Sequence, residues 1–391
     1  MHFLFPYLAR YKAVNWTRYH HLFGQLAEMG HRVTVLQPPP ASLGETNFQE
    51  IDVDLPENIG LIDVKMPGWF WKRTWPKDKL MKKGSYGLIC RGEVARIMAE
   101  DPPNALIVYN LPQAGLLRMP PADGRKLVRV FDLADDYEAM LKTELGGAGM
   151  GWLLKMGRRK LHQMMEDADL LLSVSRELID DYPAHDIGLL PNGVDFKRFD
   201  ASYRETDDAA SRRPLIGYLG AFEYFIDFEM ILQTARLLPG CDFRLVGGGR
   251  LEDDIRKRIA ELGLENVEMP GSVPFNQVPA EIAGWDICLN LFVRIPISHK
   301  ASPMKLFEYL AMGKPVLTTD LDEIRRYGID ELLGTVGSPE EAAEAIRALM
   351  SDTERRRALG DRGRNWVRES FDWKDLANRL VEMIERCASR M

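Results

Sequence analysis

Apolar residues recur along the chain in short runs that alternate with stretches of helical spacing. The opening run HFLFPY (residues 2–7) predicts a first strand. The segment NWTRYHHLFGQLAEMG has helical periodicity, with Asn15 as N-cap and Gly30 as stop. RVTVL (32–36), rich in β-branched residues, completes a βαβ unit. Further strands are predicted at ALIVY (105–109), KLVRVFD (126–132), DLLLSVS (169–175) and IGLLP (187–191). After PNGVDFKRFD the chain turns polar through ASYRETDDAASRRP, and a second series begins at LIGYLG (215–220). It continues as a helix at 227–238, strand CDFRLVG, helix RLEDDIRKRIAELG, strand NVEMPG, a short helix in FNQVPAEIAG, strand DICLNLF, a helix at 303–312 and strand PVLTTD. Apolar strands alternating with helices indicate parallel sheets covered on both faces. The pattern therefore predicts an α/β chain of two Rossmann-like, doubly wound parallel-sheet domains facing a central cleft: residues 1–191, a linker at 192–212, and residues 213–371. A final helix at 372–391 is expected to return toward the first domain.

The chain has 391 residues, 46% of them hydrophobic, which suits two cored domains and excludes a small disulfide-stapled module. Cys90, Cys241, Cys288 and Cys387 are far apart and suggest neither a zinc site nor a disulfide framework. The start, MHFLFPYLARYKAVNW, has no basic stretch before an apolar run, and no apolar segment approaches the roughly 18 residues needed to span a bilayer. A reduced, cytoplasmic protein is expected. The net charge of −7 falls mostly after residue 200, so nucleic acid is not an expected partner.

The stretch HKASPMKLFEYLAMGKPVLTTD (299–320) carries candidate chemistry. Ser302 fits an N-cap, Pro303 the first helical position, and Gly313 before Pro315 a stop. The free N–H groups of such a helix favour a phosphate, and Lys305 in the first turn adds a full charge. Glu308 lies about 4.5 Å further along the axis on nearly the same face, where a carboxylate can take two ribose hydroxyls. The alternative is an ordinary amphipathic helix in which Met304, Phe307, Leu310 and Ala311 pack while Lys305 and Glu308 form an exposed pair worth a few tenths of a kcal/mol.

SPMKLFEYLAMGKPVLTTD, together with PNGVD (191–195), LVGGGRLEDDI (245–255) and VEMPGSVPFNQVP (267–279), resembles the C-terminal domain of GT-B glycosyltransferases, family 4 in particular. The resemblance runs from roughly residue 165 to the end. It implies an acceptor domain followed by a nucleotide-sugar domain, and a donor, expected to be a UDP-sugar, contacted by Lys305, Glu308, Ser302, Met304, Lys300, His299, Gly220 and Val273. Glu308 matches the second glutamate of the family's Glu-x7-Glu motif, which binds the donor ribose, while Lys300 stands where the first would fall. The Arg and Lys that the family carries after the first strand of this domain are absent, and GAFEYFIDFEMI offers Glu223 and Asp227 instead. These departures are similar to a divergent subgroup that includes the xanthan-type glucuronosyltransferases of family 70, in which a lysine on this helix serves the phosphate.

In VFDLADDYEAM, Asp132, Asp135 and Asp136 follow a strand. A sugar hydroxyl is a weak nucleophile, and an inverting transferase needs a carboxylate to take its proton. The resemblance points to Asp135 or Asp136 as that base; the alternative is that one of them caps a helix. Arg10, Lys12, Trp16 and Arg18 border the expected cleft and either meet an acceptor diphosphate or solvate a loop. DVD (52–54) has the form of a metal motif but lacks its strand context, so no metal is expected. VGGGRLED lacks the third glycine of a dinucleotide fingerprint, and its glycines are read as room for a sugar nucleotide.

Trp69, Trp71, Lys72, Arg73 and Trp75 within WFWKRTWPKDKLMKK suit an anionic membrane surface. GWLLKMGRRKLHQMM, from Gly151, reads equally as a membrane-facing or a packed surface helix. The expectation is thus a glycosyltransferase acting on a lipid-linked or surface-glycan acceptor at the inner membrane face. The alternatives are an epimerase or hydrolase of the same fold, and a non-catalytic sugar-nucleotide binder.

Overall fold

Thirteen strands form two separate sheets in a computed structural model that describes residues 1–12, 16–38, 53–65, 78–121, 125–145, 151–202 and 212–391. The first unit comprises Met1–Pro191 and Lys374–Met391, the second Asn192–Trp373.

The first sheet contains β1 (His2–Pro6), β2 (Arg32–Gln37), β3 (Ile59–Asp63), β4 (Ala105–Val108), β5 (Val128–Leu133), β6 (Leu170–Ser173) and β7 (Ile187–Leu189) in the order β3-β2-β1-β4-β5-β6-β7. Every pairing is parallel. Strands β1 and β4 are buried along their whole length, which is why they read as continuous apolar runs. Edge strand β3 was not anticipated, because its exposed Gly60 and Asp63 break the apolar run. Helix α1 (Arg18–Glu28) is capped at Thr17, whose N–H donates to His20 Nδ1 at 2.9 Å. The anticipated cap, Asn15, lies outside the described residues. Gly30 ends the turn with φ +85°. Helix α2 (Asp78–Glu100) leads to β4, and α3 (Tyr137–Leu145) and α4 (Gly151–Asp167) lie between β5 and β6.

The second sheet contains β8 (Leu215–Ala221), β9 (Asp242–Gly248), β10 (Val267–Gly271), β11 (Ile287–Asn290), β12 (Val316–Thr318) and β13 (Leu333–Thr335) in the order β10-β9-β8-β11-β12-β13, again all parallel. Residues 192–202 fold with this unit, and Val194 bridges Asp372. Helix α5 (Phe228–Leu237) is capped by Asp227, whose Oδ1 accepts from Met230 N–H at 2.9 Å. Helix α6 (Glu252–Leu262) follows β9; α7 (Met304–Ala311) lies between β11 and β12; and α8 (Thr353–Ser370) packs on α7. Helix α9 (Trp373–Arg390) joins the first unit, with Arg379 donating to the Leu189 carbonyl at 3.0 Å and Lys126 Nζ to that of Ala388 at 2.8 Å.

Both strand orders reverse direction beside their first strand, between β1 and β4 and between β8 and β11. In open α/β sheets, ligands sit outside the carboxyl ends of the strands at such a reversal.

Candidate active site

In the second unit the reversal is occupied by Lys305. Its Nζ donates to the Tyr218 hydroxyl of β8 at 3.0 Å, lies 4.3 Å from the centre of the Tyr218 ring and 5.4 Å from that of Phe292, which follows β11. Tyr218 is fixed in turn, donating to the Ala221 carbonyl at 2.8 Å. Helix α7 is pinned to β8 by Tyr309, whose hydroxyl accepts from Leu219 N–H at 2.8 Å. Its far end is held by α8, where Arg364 donates to the Ala311 carbonyl. Gly220 has φ +147°, and a Cβ there would come within 2.9 Å of Lys305 Nζ, so glycine makes the space in which the lysine ends.

All residues from Leu306 to Ala311 are buried, which removes the reading of Lys305 and Glu308 as an exposed pair. Glu308 is only 6% exposed. Burial raises its pKa to about 7, against the pull of Lys305. Burial likewise lowers Lys305 to about 7, against the pull of Glu308. A cation and a carboxylate thus stand partly stripped of water at the end of a sheet.

One detail of this region differs from expectation. Helix α7 begins at Met304 with Pro303 as its N-cap, so Ser302 does not cap it. The Ser302 hydroxyl bonds to that of Tyr327 at 3.0 Å and its carbonyl accepts from Asn192 at 2.6 Å. Two glycines of VGGGR are also needed by the chain itself: a Cβ at Gly247 would meet the Gly220 carbonyl oxygen at 1.9 Å, and one at Gly249 the Phe222 carbonyl oxygen at 2.6 Å. Of the other expected donor contacts, Met304 is half-buried in the first turn of α7 and Val273 half-buried in the loop after β10. His299 Nδ1 lies 2.8 Å from Asp322, and Lys300 ends the short helix Pro296–His299. Glu223 is paired with Arg250, Nε to Oε2 2.9 Å, a partnership between two loops that the sequence did not suggest.

In the first unit the three aspartates divide into distinct roles. Asp132, at the end of β5, is buried with Arg18, Nε to Oδ2 3.2 Å; burial raises its pKa and Arg18 opposes the shift. Arg18 also donates to the Leu190 carbonyl at 3.1 Å. Asp136 is buried, and its Oδ1 accepts from Ala139 N–H at 2.9 Å, capping α3. Asp135 alone is exposed. Its pKa is pushed up to about 6, first by desolvation among the surrounding chain and then by the charge of Asp132, with Arg18 opposing.

Tyr109 and Tyr137 adjoin Asp135, and the Tyr137 hydroxyl donates to the Tyr109 carbonyl. Arg10 and Arg18 are not presented to an acceptor as expected: both are buried, Arg10 against Asp63 at 2.5 Å and the Pro38 carbonyl at 3.0 Å. Trp16 is half-buried and stacks on His20, ring centres 5.4 Å apart. Trp69, Trp71, Lys72, Arg73 and Trp75 lie outside the described residues, as does Asp52 of the DVD motif. Among the described residues no cluster of His, Cys, Asp or Glu could hold a metal, and no helix is long and apolar enough to cross a membrane.

Residues 223–382 match the model of a family described as glycosyl transferase-like. A GDP-mannose-dependent alpha-(1-6)-phosphatidylinositol monomannoside mannosyltransferase of Mycolicibacterium smegmatis is 25% identical over 264 residues, covering 61% of this chain and 68% of that protein. This chain is a GT-B glycosyltransferase. The transferase also shares 31% identity over 133 residues with TuaH of Bacillus subtilis, a putative teichuronic acid biosynthesis glycosyltransferase; the match covers 33% of each chain. Its fold is that of sucrose-phosphate synthase from Thermosynechococcus elongatus, with TM-score 0.76, 16% identity and both chains covered completely.

Proposed function

We propose that the transferase holds a nucleoside diphosphate sugar at the N-terminal end of α7, with Lys305 on the diphosphate and Glu308 on the ribose. It passes the sugar to a hydroxyl of a lipid-linked or surface-glycan precursor at a membrane face. The carrying observation is Glu308, only 6% exposed and raised in pKa by desolvation, one turn from a lysine whose hydrogen bond is to a tyrosine hydroxyl. A carboxylate partly stripped of water gains from new hydrogen-bond donors, and ribose hydroxyls supply them. The leaving diphosphate gains its stabilisation from the helix end and the ammonium. Asp135, its pKa raised by desolvation and then by the charge of Asp132, takes the acceptor proton, while Asp136 serves α3.

The names of two relatives, a phosphatidylinositol-mannoside mannosyltransferase and a teichuronic acid enzyme, support a lipid or cell-surface acceptor. Lys300 and Glu223 support placement in the divergent subgroup similar to the xanthan-type glucuronosyltransferases, with a hexosyl or glycuronosyl residue as the group moved. A thermal-shift panel of UDP, GDP, ADP and dTDP tests the donor site, since a ligand of the native state raises apparent stability by mass action. One nucleotide is expected to raise the midpoint in the wild type and not in Lys305→Met. No shift with any nucleotide, or an equal shift in the variant, overturns the assignment.

A further inference from the structure

Helix α4 leaves an unusual face uncovered. Its inner side packs through Leu161, Met164 and Met165, and Gly157 abuts Leu141 of α3. Outward, Trp152 is 65% and Met156 56% exposed, two of the four large apolar side chains so exposed among the described residues. At about 100° per residue they are about 40° apart, one turn from each other. Arg159 and Lys155 fall about 20° and 60° to one side of Trp152, and Lys160 about 80° to the other. All three are exposed, and none has a carboxylate partner among the described residues, whereas Arg158 on the flank pairs with Glu138 at 3.1 Å. Residues 151–160 carry four basic and no acidic side chains, in a chain whose net charge is −7.

We propose that this face of α4 docks the transferase on an anionic phospholipid surface, with Trp152 and Met156 entering the headgroup boundary and Lys155, Arg159 and Lys160 meeting lipid charge on either side. An indole body suits that boundary, and an apolar ridge bordered by cations matches a negatively charged bilayer better than a protein partner, whose acidic groups would be lined up in one place. The proposal deepens the lipid-acceptor reading and rests on it for its purpose, but its test is separate.

The intact chain is floated with phosphatidylcholine vesicles, with and without phosphatidylglycerol. Binding is expected only with the anionic lipid, falling as salt rises. Each basic residue removed should weaken partition about fivefold, so Lys155→Glu with Arg159→Glu loses more than the product of two such steps. Trp152→Ser with Met156→Ser should lose binding at every salt concentration. The nucleotide-induced thermal shift serves as a folding control and is expected to be unchanged in both double variants. Transfer to a detergent-dispersed acceptor should also persist in them, while transfer to an acceptor embedded in vesicles falls. Absence of flotation in the wild type, or flotation of both double variants equal to that of the wild type, overturns the docking face and leaves the donor-site reading standing. Flotation with no transfer to any lipid acceptor overturns the acceptor reading alone.

Discussion

Lys305 makes donor affinity depend on pH in a direction set by its surroundings. In the free protein it is half-buried over the Tyr218 ring, and loss of water lowers its pKa to about 7, with Glu308 pulling upward. A bound diphosphate supplies negative charge and favours the ammonium, so its pKa in the complex is higher and binding takes up a proton. Affinity therefore falls as pH rises through the free-state value and levels off at the bound-state value. From about pH 7 to about pH 9 the dissociation constant is expected to rise on the order of tens of fold. The Tyr218 hydroxyl stays neutral there, because burial and then Glu223 raise its pKa. Glu308, itself raised to about 7 by burial, contributes near neutrality with opposite sign, since ribose hydroxyls favour its ionised form. Above about pH 8 it is ionised in both states and the slope belongs to Lys305. Lys305→Met keeps the apolar stem against Tyr218 and Phe292 and deletes the charge. At neutral pH that should cost about 2–3 kcal/mol, roughly 30- to 150-fold in affinity. Calorimetric titration with a nucleoside diphosphate, in two buffers of different ionisation enthalpy, reads affinity and proton uptake together. A flat wild-type profile, or the same slope in Lys305→Met, would refute the reasoning.

Asp135→Asn should lower kcat by about 10²–10⁴-fold with the melting temperature unchanged, and wild-type activity should fall as pH drops through about 6, where the carboxylate takes up its proton. Asp136→Ala, by contrast, should cost about 1 kcal/mol of stability through the lost cap and leave donor affinity alone. Gly220→Ala places a Cβ 2.9 Å from Lys305 Nζ at φ +147°, so it should destabilise the fold by about 1–3 kcal/mol and weaken nucleotide binding in the same titration. Arg18→Met strands Asp132 in the core and should cost about 3–5 kcal/mol in urea unfolding. That deficit should shrink at low pH, because a carboxyl whose folded pKa is raised loses its penalty once protonated.

The legibility of the chain follows from how far apart in sequence the partners lie. Strands such as β1, β4 and β11 read directly, because burial on both faces makes them apolar save for His2 and Asn290 at their ends. The edge strands β3 and β13 were missed: β3 carries exposed positions, and β13 is three residues long. Lys305 and Glu308 stood out because one helix turn sets their spacing. Tyr218, which holds the lysine, lies 87 residues away in a strand where its side chain reads as core. The Arg18–Asp132 pair is also long-range and the Arg250–Glu223 pair is 27 residues apart, so Arg18 reads as a free cation near the acceptor and Glu223 as an uncompensated charge. The Asp135/Asp136 ambiguity is local, and what separates the two is the turn into α3, which buries one as a cap and leaves the other in solvent.

Transfer from a nucleoside diphosphate sugar to an acceptor hydroxyl is read from nucleoside diphosphate release measured with and without acceptor. Matched UDP- and GDP-sugars are offered with phosphatidylinositol-type and surface-glycan acceptors. Release is expected to rise with acceptor, with a sugar-extended product detected by mass spectrometry and loss of both in Lys305→Met and Asp135→Asn. Release of free sugar or its isomer at a rate indifferent to acceptor, or nucleotide binding with no turnover of any donor, would contradict it.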